Sequence, residues 1–173
     1  MPSYLIHLIS GSTGAGKTTY AMALSQRLKA VRFSIDEWMA ALFWMDSQKP
    51  IDPTWAMERV SRCQDQIWAT ALQVARQGVP CVLDLGFGQM AQRSKFTSMA
   101  NAAGLPIQLH FLDVPANERW RRVGVRNAEK SVTYQLNFDI TREMFDYVEA
   151  MWEPPTIQEM TACNGLLVSS QHS

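Results

Sequence analysis

Residues 11–18 read GSTGAGKT, directly after the unbroken apolar run YLIHLIS at residues 4–10. The octapeptide satisfies G-x-x-x-x-G-K-[ST], and it stands where that pattern needs to stand, at the turn from a strand into a helix. Gly11, Gly14 and Gly16 carry no side chains. The backbone N–H groups of the loop, those of Ser12, Thr13 and Ala15 included, are then free to wrap a phosphate chain. The helix N-terminus behind them adds a partial positive charge. In this reading Lys17 reaches the β and γ phosphates, the Thr18 hydroxyl ligates Mg²⁺, and Thr19 meets the α phosphate. A glycine-rich turn that binds nothing would not require the whole pattern in this context. The expected ligand is a nucleoside triphosphate, and the lack of N-K-x-D and of a strand-end D-x-x-G favours ATP over GTP.

Outward from the loop, strands and helices alternate. Lys17 to Ala30 places Ala21, Leu24 and Leu28 at helical spacing, and VRFSI at 31–35 is a short second strand. Residues 55–77 carry Met57, Val60, Ile67, Ala71 and Val74 on one helical stripe, which Gly78 and Pro80 end. PCVLDLG (80–86), PIQLHFLD (106–113) and GLLVS (165–169) supply three more strands. Helices are expected at 90–103, from residue 115 onward, and at 139–151. This alternation predicts an α/β fold with a parallel sheet covered on both faces, in one domain spanning residues 1–170, before a polar tail at 171–173.

The spacing gives FSIDEW, at 33–38, its interest. A helix of about 14 residues runs roughly 20 Å away from the phosphates, and a five-residue strand returns about 16 Å. Asp36 therefore lands at the carboxyl edge of the sheet, level with the phosphate loop, where open α/β sheets bind ligands. Two roles fit a carboxylate there: the N-cap of the following helix, or the base that takes a proton from a substrate hydroxyl. The neighbouring phosphate loop favours the base, whereas Glu37 reads as a solvated first-turn acid. Asp84, at the end of VLDLG, reaches the same edge. It would hold Mg²⁺, through water, or orient a substrate hydroxyl, or simply form the strand-end turn.

PANERWRRVGVRNAEK, 115–130, has five basic residues against two acidic ones. Arg119, Arg122 and Arg126 share a helix face and suit a lid over 119–138 that brings cations to a phosphoryl group. A solvated face is the alternative. The segment 37–56 is read as a substrate-side helical excursion. Its Trp38, Met39, Phe43, Trp44 and Met45, with Trp55, are packing residues or the wall of an acceptor pocket. His7 and His110, inside strands, read as core imidazoles satisfied by neighbours.

GSTGAGKT, SIDEW, VLDLGF, ERWRRVGVRN and REMFDYVEAMWEPP together resemble the phosphate-loop kinases called AAA_33-type ATP-binding proteins. That group is similar to polynucleotide 5′-kinase, zeta toxin, chloramphenicol phosphotransferase and, more remotely, gluconate and shikimate kinases. The resemblance implies a three-layer P-loop kinase fold with a five-stranded sheet in the order 2-3-1-4-5. It further implies Lys17 and Thr18 at phosphate and Mg²⁺, Asp36 as base, Arg122 and Arg126 as lid arginines, and Trp152 to Pro155 beside the adenine. One departure concerns the acceptor: residues 37–45 hold no basic side chain, although polynucleotide and antibiotic kinases place an arginine shortly after the base. Arg93 and Lys95 are left to supply charge from the DLGFG side.

Bulk properties narrow the partners. The 173 residues are 47% hydrophobic, with sixteen basic residues balancing sixteen acidic ones. No overall charge draws the chain to nucleic acid or to an anionic membrane. Cys63, Cys81 and Cys163 form no CxxC pair and suit buried thiols in a reducing compartment. The N-terminus has no basic n-region, and its apolar run is about half a membrane helix in length. A cytoplasmic kinase for a small-molecule hydroxyl is the first expectation. A nucleotide-driven regulator without an acceptor is the second, and a polynucleotide 5′-hydroxyl kinase the third.

Overall fold

The computed structural model describes residues 4–129 and 139–169; residues 130–138 of the expected lid and the tail at 171–173 lie outside them. Strand β1 (Ile6–Ser10) is the centre of a five-stranded sheet in the order β2-β3-β1-β4-β5. Its neighbours are β3 (Cys81–Asp84) and β4 (Ile107–Asp113), with β2 (Val31–Ser34) and β5 (Leu166–Ser169) at the edges. Every pairing is parallel. Parallel neighbours require crossovers, and the crossovers place helices on both faces of the sheet.

Two-sided burial explains the uninterrupted apolar runs. On one face α1 (Lys17–Leu28) packs Ala21 and Leu24 against Ile9, Val82 and Leu112. On the other, Ile67 and Ala71 of α3 (Pro53–Arg76) and Phe96 and Ala100 of α4 (Met90–Ala102) meet Leu8, Leu83 and Leu109. Successive strand residues serve opposite faces, so both Leu8 and Ile9 must be apolar. Between β2 and α3 lie α2 (Ile35–Leu42) and a 3₁₀ turn at Trp44–Asp46. After β4 come α5 (Ala116–Glu129), α6 (Arg142–Met151) and α7 (Ile157–Ala162). The last of these was not expected from periodicity. Its signature was nonetheless present, because Thr156 and Glu159 form a capping box.

The Trp and Met cluster divides. Met39 is core, Trp38, Phe43 and Trp44 are half-buried against that core, and Met45 is 92% exposed. Packing accounts for most of it.

His7 and His110 satisfy one another. His7 Nδ1 lies 3.0 Å from His110 Nε2, His110 Nδ1 lies 2.8 Å from the Tyr20 hydroxyl, and His7 Nε2 lies 3.2 Å from the Tyr4 carbonyl. One assignment serves all four groups: Tyr20 donates to His110, His110 to His7, and His7 to the Tyr4 carbonyl. Both rings are then neutral. Burial lowers the His7 pKa to about 4, and burial together with His7 lowers that of His110 to about 3. The unfolded chain binds protons near 6.5 that the folded chain refuses, so stability is lost as pH falls from 6.5 through 4 toward 3. Between pH 7 and pH 5 the pair should lose on the order of 3–4 kcal/mol. Urea midpoints at the two pH values measure this, and equal midpoints would contradict it.

Candidate active site

The phosphate loop is the sharp connection between β1 and α1, and its glycines are there for different reasons. Gly16 caps α1 with φ 87°, and a Cβ on it would meet nothing nearer than Arg122 Nη1 at 3.6 Å. Gly14 has φ 81°, and a Cβ there would sit 2.5 Å from the Arg119 carbonyl oxygen. That oxygen belongs to helix backbone and cannot yield. Gly14→Ala should therefore cost about 1–3 kcal/mol more stability than Gly16→Ala, which meets left-handed strain alone. Thermal melts of the two variants check this; equal losses would refute it.

Side chains hold the loop from the α5 side. Arg119, only 4% exposed, donates through Nη1 to the Thr13 carbonyl at 3.3 Å and through Nε to the Val114 carbonyl at 2.8 Å. Its Nη2 pairs with Glu149 Oε1 at 2.7 Å, and Ser12 Oγ donates to Glu149 Oε2 at 3.1 Å. Arg119 is thus a fixed strut between loop and α6, rather than a mobile cation on the face of Arg122 and Arg126. Arg122 reaches the Ala15 carbonyl at 3.5 Å and is held by Glu118 at 3.0 Å. Gly11, Ser12 and Ala15 are buried, while Thr19 is exposed in the first turn of α1.

The decisive local feature is at the start of α2. Ser34, the last residue of β2, is the N-cap, and its side chain accepts the Glu37 N–H. Asp36 lies two residues inside the helix and is not the cap. Among the described residues none donates a hydrogen bond to its carboxylate, which stands at the sheet edge. Water reaches it, yet protein surrounds enough of it that desolvation raises its pKa above the ordinary 3.8, against the pull of Lys17 and Arg126.

Asp84, 6% exposed, is also raised by burial and is drawn back by Lys17 and the Thr18 hydroxyl. Burial pushes the Lys17 ammonium down, with Asp84 and Asp36 opposing it. Lys17, Thr18, Asp36, Asp84 and Arg126 are therefore one electrostatic neighbourhood assembled from α1, α2, the end of β3 and α5. Lys17 Nζ now donates to the Ser12 carbonyl at 3.1 Å, across the loop it belongs to.

Two expected cations lie elsewhere. Arg93, 2% exposed, spends its guanidinium on Glu159 at 2.8 and 3.2 Å and on the carbonyls of Phe87 and Glu153 at 3.1 and 2.8 Å. Lys95 is exposed and paired with Asp65 at 3.0 Å. Neither faces the site. Arg32, which sequence reasoning passed over, does: it is paired with Glu37, and its Nη1 lies 3.7 Å from Asp84 Oδ2. Glu37 is consequently an ion-pair partner and not a freely solvated acid. A signal was available, since an arginine two residues before the cap points to the same sheet face as Ser34.

Among the described residues, Arg32 Nη1 and Asp84 Oδ2 are buried without a hydrogen-bond partner. These two atoms face one another at 3.7 Å as an ion pair without a hydrogen bond, and the Asp84 carboxylate beside the Thr18 hydroxyl offers oxygen donors of the kind Mg²⁺ takes. No cluster of three or more His, Cys, Asp or Glu side chains among these residues forms a self-contained metal site.

A cavity of about 310 Å³ flanks the loop. Its floor is Gly11 to Thr13 with Lys17, one wall is Gly86, Gly88 and Gln89 after β3, and the other is the end of α6. Glu153, just past α6, closes that wall by donating its N–H to the Gly88 carbonyl at 3.0 Å and accepting the Met90 N–H at 2.7 Å.

A family model described as an AAA domain, AAA_33, matches residues 6–155. The chain belongs to this family. No curated protein matches it. Among solved structures, this AAA_33 protein resembles a sugar kinase from Janibacter sp. at TM-score 0.67 and 16% identity, over 99% of this chain and 88% of that one. Kti12 of Chaetomium thermophilum, in complex with ADP-AlF3, matches at 0.64 and 16%, over 97% and 90%. The APS kinase of Mycobacterium tuberculosis, in complex with AMPPNP and APS, matches at 0.62 and 16%, over 100% and 92%. At these identities the likeness is one of fold, that of the P-loop kinases. No described helix of this AAA_33 protein is long and apolar enough to cross a membrane.

Proposed function

We propose that this chain is an ATP-dependent phosphotransferase that moves the γ-phosphate of ATP to a hydroxyl of a small-molecule acceptor. The observation that carries the reading is the free Asp36 carboxylate, released from capping by Ser34 and set beside Lys17 and Arg126. A helix cap needs no phosphate-binding lysine next to it. A base for phosphoryl transfer does.

In this reading the loop N–H groups from Gly11 to Thr19 hold the triphosphate, and Lys17, Arg122 and Arg126 cover the charge spread over its equatorial oxygens. The acceptor O–H gives its proton to Asp36 as its oxygen bonds to the γ phosphorus. The bond to the bridging oxygen breaks, and its electron pair leaves on ADP. Thr18 and, through water, Asp84 would hold Mg²⁺, which when bound neutralises phosphate charge and fixes the chain in line. Residues 1–170 act as one catalytic domain, with 37–56 on the acceptor side and 119–138 as lid. The three free, buried cysteines agree with a reducing, cytoplasmic setting.

The test is isotopic. Incubation with γ-labelled ATP, Mg²⁺ and pools of hydroxyl compounds should yield a labelled product other than inorganic phosphate. Phosphate as the only labelled product would replace this reading with that of a nucleotide-driven regulator. Label entering a 5′-hydroxyl oligonucleotide, with binding that weakens steeply with salt, would favour the polynucleotide kinase.

A further inference from the structure

Resting on the phosphotransferase reading, we infer that Arg32 is a positioning residue, whose guanidinium ties the first turn of α2 to the end of β3 and so holds Asp36 in place beside Asp84. Three observations converge on it.

Register comes first. Arg32 and Ser34 of β2 stand opposite Val82 and Asp84 of β3. Side chains two apart along a strand share a face, so Arg32 lies one step behind both the cap of α2 and the strand-end carboxylate. From there its Nη2 hydrogen-bonds Glu37 in the first turn of α2, and its Nη1 lies 3.7 Å from Asp84 Oδ2. One planar fork thus reaches two elements.

Electrostatics comes second. The Asp36 charge acts against that of Asp84, and the Glu37 charge against that of Asp36. Three acids gathered at one sheet edge push α2 away from β3. Lys17 opposes this from the loop side, but in the phosphotransferase reading Lys17 turns to the triphosphate. Arg32, anchored on β2 with its side chain 15% exposed, opposes it with or without nucleotide.

The helix itself comes third. α2 has eight residues, of which Ile35 and Met39 are buried. Two turns are marginal as a helix on their own. Ser34 caps the first turn, and among the described residues the Arg32–Glu37 pair is the only ion pair that reaches α2. An inward-pointing charge also protects an edge strand from false pairing. Lysine would serve that purpose equally well, whereas joining Glu37 to Asp84 takes the fork.

Two arms test this. Hydrogen exchange of the α2 amides needs no substrate: Arg32→Met and the milder Glu37→Gln should speed it about tenfold, while the amides of β3 keep their rates. Unchanged exchange in both variants would overturn the inference. In the second arm, label from γ-labelled ATP is followed into the pool of hydroxyl compounds that accepts it. Arg32→Met should lower that transfer about 10²-fold, the cost of slightly misplacing a reacting group, and leave the Kd for ATP unchanged. In an Asp36→Asn background the same change should cost less than about twofold more, because Arg32 acts through Asp36. Arg32→Lys should restore the melting temperature but not the rate. A loss explained by weaker ATP binding, losses that multiply in the double variant, or full rescue by lysine would overturn the inference and leave the phosphotransferase reading intact. A wild-type protein that releases phosphate alone would remove both.

Discussion

Asp36→Asn should lower phosphoryl transfer by about 10²–10⁴-fold, the usual contribution of a positioned general base, while ATP affinity changes less than about twofold. The substitution is nearly isosteric and separates the two roles open to this residue. Asparagine caps a helix as well as aspartate does, so an Asp36 that served only the helix would survive the change with activity intact. Ser34 already caps α2, and its loss in Ser34→Ala should appear as about 1 kcal/mol of stability with little effect on the chemistry. Desolvation raises the Asp36 pKa above 3.8. A base works ionised, so the wild-type rate should fall as pH drops through a midpoint above that ordinary value, and the Asn variant should lack this acid limb. Steady-state rates across pH, with ATP titrations of both proteins, measure each part.

Arg93→Met should be the most destabilising single substitution proposed for this chain. Removing one partner of a buried ion pair costs about 3–5 kcal/mol, which for a chain of this size corresponds to about 10 °C in Tm. The reason is topological. Arg93 on α4 ties the Phe87 carbonyl after β3, the Glu153 carbonyl after α6, and Glu159 in the capping box of α7. Its methionine replacement fills the volume but leaves the Glu153 carbonyl and the Glu159 charge without Arg93, while Ser10 Oγ still donates to the Phe87 carbonyl and the Thr156 N–H to Glu159. Arg93→Lys should recover part of the loss, because an ammonium keeps the charge without the planar fork. A melt of Arg93→Met within about 2 °C of the wild type would show that the network is redundant.

These two residues also mark how far the sequence can be read. GSTGAGKT, the two-sided apolar runs and the lengths of α1 and β2 determine the sheet and bring Asp36 and Asp84 to one edge, because those features are local or follow from chain geometry. Charge is different. Arg93, Arg119 and Arg32 look alike as letters, and their fates depend on Glu159, Glu149 and Glu37. Two of those partners are far along the chain, and no periodicity announces them. A helix over 139–151 is legible in the sequence, and α6 occupies Arg142–Met151 of it. That it leaves Met144, Val148 and Met151 exposed is a property of the tertiary structure.

The most direct test of the central claim is a structure with ADP-AlF3, Mg²⁺ and an acceptor identified by label transfer. The acceptor oxygen should stand in the axial position, with an Asp36 carboxylate oxygen within about 3 Å of it and Lys17 Nζ moved from the Ser12 carbonyl to the phosphates. An acceptor oxygen held instead by another group, with Asp36 turned to solvent, would contradict it.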